Sequence, residues 1–201
     1  MARLDRIAPA SGDPLVMENE KQSFQKCAKA LIDLVFETEG HDRVYREFCE
    51  LEPKLKSVAF GAFCREYVPA KLALGCVFWV GCCAHHRIED KNLRNIYFKE
   101  VMGLFESPKS LEDATRFSES LYASNADKEQ SPVLGVLVHL FHKLGLEAVV
   151  KPGEDDVGVL NAGFHFMMHV SEALKVVFEA QFDDFFYANE DCRIVDMRKK
   201  A

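Results

Sequence analysis

The feature that most constrains this 201-residue chain is an unbroken apolar run of 13 residues, from Leu72 to Ala84. A helix that is apolar on every side, here including Phe78 and Trp79, belongs in the centre of a bundle. The run falls short of the ~18 to 20 residues with which a helix crosses hydrocarbon. A core helix is therefore expected from around Pro69 to about Arg87. Gly75 and Gly81 inside it cost roughly 1 kcal/mol each in helix propensity, which predicts that another helix crosses closely at those points.

The remaining chain supplies helices to surround it. Asp13-Pro14 offers a cap acceptor and a preset φ, and Phe24, Cys27, Ala28, Leu31 and Val35 recur at helical spacing until Gly40 stops the run. Val44, Phe48, Leu51 and Leu55 keep the period, with a bend at Pro53 and a break near Glu52. Leu93, Ile96, Tyr97, Val101 and Leu104 mark the next helix, closed by Ser107-Pro108. Ser110 and Asp113 are spaced as a capping box for a shorter one, with Ala114, Phe117 and Leu121 as its buried stripe. Ser131-Pro132 opens the apolar stretch Val133 to Leu144, which Gly145 ends.

Past a turn at Pro152-Gly153, Asp155 and Asp156 stand where carboxylates favour a helix start. The final helix carries Leu160, Phe164, Met167, Leu174, Phe178, Phe182 and Phe185 in register to about Asn189. Only Ala148-Val149-Val150 reads as an extended segment. These patterns predict an all-α, single-domain bundle of about seven helices with a long C-terminal helix. Residues 1–12 read as a flexible N-terminal arm, 13–189 as the domain and 190–201 as a tail.

With 48% hydrophobic and 28% charged residues, the chain is too apolar for disorder and too charged for a bilayer, so no membrane association is expected. A net charge of −7 repels phosphate backbones, and only Arg198-Lys199-Lys200 forms a basic cluster, which argues against nucleic acid. The N-terminus lacks a secretory hydrophobic region. Seven cysteines, an odd number without a Cys-x-x-Cys pair, are expected as reduced thiols of a cytoplasmic protein.

Glycine-rich phosphate loops, His-Glu-x-x-His, Gly-x-Ser-x-Gly and Glu-x-x-His do not occur. His41-Asp42 matches the dyad of the HD phosphohydrolases, but no histidine precedes it, and Asp42 is also placed to cap the next helix. Cys82, His85, His86 and Glu89 could share one helical side as soft and borderline ligands, or simply pack and complement a helix C-terminus. Asp155-Asp156 and Asp183-Asp184 point about 100° apart within each pair and read as a cap and a solvated face.

His165 and His169, four apart, lie on one helical face, and Glu172 extends it. With Asn161 and Glu179 they trace a polar strip opposite the phenylalanines. His139 and His142 lie on the preceding helix. Pairing of the two helices as a hairpin would converge all four histidines on a transition metal or haem. The alternative is that they face water.

The last helix also carries Phe166, Val170, Val177 and Phe186 beyond its main stripe, which predicts a homodimer through that helix, while its aromatic end could serve a partner or an apolar ligand. Two functional expectations follow. One is a non-catalytic helical binding or interaction module. The other is a metal- or haem-dependent protein or enzyme built on His165 and His169, with a third ligand from His139, His142 or Glu172.

Overall fold

The computed structural model describes residues 14–36, 38–51, 56–107, 110–126, 131–146 and 157–188. Among them are eight helices and no strand: α1 Pro14–Val35, α2 Thr38–Leu51, α3 Phe60–His85, α4 Lys91–Arg94, α5 Ile96–Gly103, α6 Leu111–Ala123, α7 Pro132–Lys143 and α8 Val157–Ala188. The fold is an all-α bundle. Asp13, Pro53, Ala148 to Val150 and Asp155-Asp156 lie outside the described residues.

The apolar run does occupy the centre, since α3 packs against every other helix. It is longer than expected, 26 residues, because it begins at Phe60 and carries Pro69 inside it. Tyr67, Ala70 and Lys71 around the proline are buried, so packing outweighs the lost backbone bond. This length and a mean hydropathy of 1.5 suit a membrane-crossing helix, yet 67% of that window is buried within the bundle, as in a core helix.

Two aromatic clusters grip α3. Near its C-terminal half, Trp79 meets Phe24 of α1, Tyr97 of α5 and Phe182 of α8, at centroid distances of 5.9, 5.9 and 5.0 Å. Near its start, Phe63 lies 4.9 Å from Tyr67 and 6.5 Å from Phe48, and Phe48 lies 5.5 Å from Phe141 of α7. Edge-on and offset pairs of this kind add to the burial of their large apolar area.

Several helix boundaries differ from the sequence expectation. Gly40 does not stop α1, which ends at Val35; it lies in the first turn of α2. Asp42 is likewise inside α2 and pairs with Arg46 at 2.7 Å rather than capping the helix. Asn95 divides the segment after Lys91 into α4 and α5, and Asp90 caps α4 by accepting from the Asn92 and Leu93 amides at 2.6 and 3.2 Å. Ser110 occupies the cap position of α6 without capping it. Its hydroxyl donates to the Ser107 carbonyl at 2.7 Å, and Asp113 turns to Arg116 at 3.2 Å.

Gly145 does end α7, at φ 74°, with the Leu146 amide reaching the Phe141 carbonyl and the Gly145 amide reaching that of His142. Arg87 ends α3 by the same bonding at φ 55°, a left-handed conformation uncommon for a residue with a side chain. Among the described side chains of α8, Met167, Ser171, Phe178, Phe182 and Phe186 are buried, with Phe164, Leu174 and Phe185 half-buried against the core. Phe182 and Phe186, expected as partner-facing, are covered by this chain itself.

Candidate ligand cavity

A cavity of about 440 Å³ opens beside the C-terminal half of α3, walled by α4, α5, the end of α6 and the start of α7. The volume lies in the range of small-molecule sites, ~300 to 1,000 Å³. Its floor consists of Cys76, Trp79, Tyr97 and Ser124, all buried. Val80, Gly81, Phe98, Arg94 and Asn125 form its exposed rim.

Why a hollow exists here follows from two glycines on one helix. A methyl group built on Gly75 would fall within 2.7 Å of Cζ of Tyr97, so the phenol of α5 closes onto α3 at that level. Six residues on, a methyl on Gly81 would meet nothing within 4 Å. The close crossing expected at Gly81 is thus absent; that glycine borders open space. A third glycine supplies the other wall. Gly135 of α7 approaches the end of α6 so closely that a methyl there would lie 3.1 Å from the Ala123 carbonyl carbon and 3.3 Å from Ser124 Cα.

The cavity floor is chemically quiet. Burial pushes the Cys76 thiol up to about 12, so it stays protonated and non-nucleophilic at neutral pH. The same cause raises the Tyr97 phenol well above its ordinary value, and its hydroxyl has no hydrogen-bond partner among the described residues. Further polar groups run from Ser124 in the floor to Asn125 at the rim. Ser124 Oγ donates to the Leu121 carbonyl at 2.7 Å, and Asn125 Nδ2 spends its protons on that carbonyl and on Ser124 Oγ, at 3.1 and 2.9 Å. Arg94 is the one charged residue among those lining the cavity.

The histidine positions fall elsewhere. His165, His169 and Glu172 are exposed on α8, and Glu172 pairs with Lys175 at 3.3 Å. Helices α7 and α8 do pack, through Phe141 and Phe164 at 5.5 Å, but His139 is two positions from Phe141 and so projects from the other side of α7. There it faces α6, with Nε2 4.0 Å from Glu119, whose carboxylate also takes a 2.7 Å bond from Lys143. His142 lines the same groove between α6 and α7. Desolvation, then the Lys143 charge, lowers the His139 pKa, while the Lys143 hydrogen bond lowers that of Glu119. Among the described residues no group of three or more His, Cys, Asp and Glu is placed to hold a metal ion.

Two buried histidines act at helix ends. His41 Nε2 lies 3.3 Å from Lys71 Nζ, which also donates to the Val35 carbonyl at 3.3 Å and so satisfies the C-terminus of α1. The His41 ring meets Tyr67 edge-on at 5.6 Å, so the contacts of this imidazole tie α2 to α3. His86 Nε2 is 2.6 Å from Asp183 of α8, with the imidazole against Phe182 and Phe186 at 5.6 and 4.3 Å. Asp183 is therefore an inter-helix tie rather than part of a solvated face. Since α3 ends at His85, Glu89 lies past the turn and shares no helical side with Cys82. No protein-family model, curated protein or solved structure matches this chain.

Proposed function

We propose that this chain is a non-catalytic helical binding module whose ligand occupies the cavity between α3, α5 and α7. The observation that carries this reading is the concave, mostly apolar space of about 440 Å³ with few polar groups, the composition expected of a small-molecule site. Binding rather than catalysis is favoured because Cys76 and Tyr97, the titratable groups of the floor, are both held in their protonated, unreactive forms.

Trp79, the single tryptophan, forms part of the floor and reports on occupancy directly. Titration with a neutral apolar dye such as Nile red should give saturable, one-site binding with a matching change in Trp79 emission. Gly81→Leu should fill the space and abolish binding, with the helical circular dichroism spectrum retained. Unsaturable binding, or full binding by folded Gly81→Leu protein, would overturn the assignment.

A further inference from the structure

We infer that the ligand of this cavity is an amphiphile with one carboxylate head, held by Arg94 at the rim while its apolar tail lies over Trp79 and Val80. The inference rests on the binding reading above and specifies its chemistry. Four observations carry it.

The lining is asymmetric in charge. Arg94 is its only charged residue, and no carboxylate joins it there, although acidic residues outnumber basic ones 32 to 25 in the whole chain. Second, the guanidinium makes no side-chain hydrogen bond or ion pair among the described residues, whereas Arg43, Arg46 and Arg116 each pair with a carboxylate. Third, Arg94 lines the cavity together with Cys76, Trp79, Val80 and Ala84 of α3, and its charge works against the rise that burial causes in the nearby Cys83 thiol. Fourth, the amide protons of Asn125 are already used within the chain, which leaves the arginine fork, beside the neutral amide of Asn95, as the charged donor suited to an anion.

Size and charge narrow the class further. A space of about 440 Å³ stands in the lower half of the ~300 to 1,000 Å³ range of small-molecule sites, which suits a medium-chain or monocyclic carboxylic acid better than a long lipid. A single guanidinium matches one carboxylate in a planar two-bond fork, while a phosphate monoester, carrying up to two charges, would be left half-compensated in an acidic protein.

The test is titration of the full chain with decanoate, decanol, decylammonium and decyl phosphate below their micellar concentrations, followed by Trp79 emission and calorimetry. Decanoate should bind at least tenfold more tightly than the other three, as a charge-assisted pair implies. Arg94→Gln should lower decanoate affinity roughly tenfold and leave decanol unchanged, with Arg94→Lys in between. Equal binding of decanoate and decanol, an Arg94→Gln protein that binds decanoate normally, or preference for decyl phosphate would overturn the carboxylate assignment while the cavity reading stood. Failure of all four compounds and of the neutral dye would overturn both.

Discussion

Lys71 and His41 share a buried pocket, 3.3 Å apart, that keeps the imidazole neutral. Burial first, and the Lys71 charge second, lowers the His41 pKa below its ordinary 6.5, against the opposite pull of a hydrogen bond to Val35. The sign of the consequence is fixed by linkage. Below pH 6.5 the unfolded chain takes up a proton that the folded chain refuses, so stability is fully present above 6.5 and falls as the pH drops toward the lowered folded value. His139 shifts in the same direction and adds to the effect. His41→Gln, which keeps an acceptor for Lys71, should therefore remove part of the loss in urea midpoint between pH 7.5 and 5.5. An unchanged slope would show that His41 does not carry the linkage. Nothing in the local sequence marked this pair, because 30 residues and a helix crossing separate its members.

Three glycines show how one residue type takes different meanings within helical elements. Gly81→Ala should stabilise by about 0.5 to 1 kcal/mol, since it gains helix propensity and its methyl enters open space. Gly75→Ala should destabilise by about 1 to 3 kcal/mol, because the methyl must displace a phenol wedged against Trp79 and Phe178. Gly135→Ala should cost at least as much, as its neighbours are backbone atoms of Ala123 and Ser124 that cannot rotate away. Urea unfolding of the three variants checks the ordering, and equal effects at Gly75 and Gly81 would contradict the packing described. Sequence spacing treated Gly75 and Gly81 alike because propensity is a local quantity, whereas the space beside a helix belongs to its neighbours.

At the scale of the whole molecule, thiol accessibility reports how completely the bundle closes over α3. Burial pushes Cys76, Cys82 and Cys83 up to about 12, and Cys27 is buried as well, whereas Cys49 and Cys64 are half-buried. Reaction with an aromatic disulfide reagent at pH 8 should leave Cys76, Cys82 and Cys83 unmodified in the native protein, since the thiolate is the reacting form. After denaturation all seven cysteines of the chain should titrate as free thiols. Rapid native labelling of these three would mean that the central helix is exposed, and fewer than seven groups after denaturation would mean that a disulfide is present.

The all-α class and the central place of the Leu72–Ala84 run were determined by the sequence alone, because periodicity and total apolarity dictate which face must leave water. The end of α7 at Gly145 was legible for the same local reason, a residue that tolerates positive φ. Tertiary structure alone decided that α3 runs through Pro69, that Asp183 reaches His86, that His139 turns to α6 and away from α8, and that a cavity lies beside Gly81. Each of these depends on which helix faces which and at what rotation about its axis. A hydrophobic stripe states only that a face is buried; its partner is set by the joint packing of all the large side chains in the core.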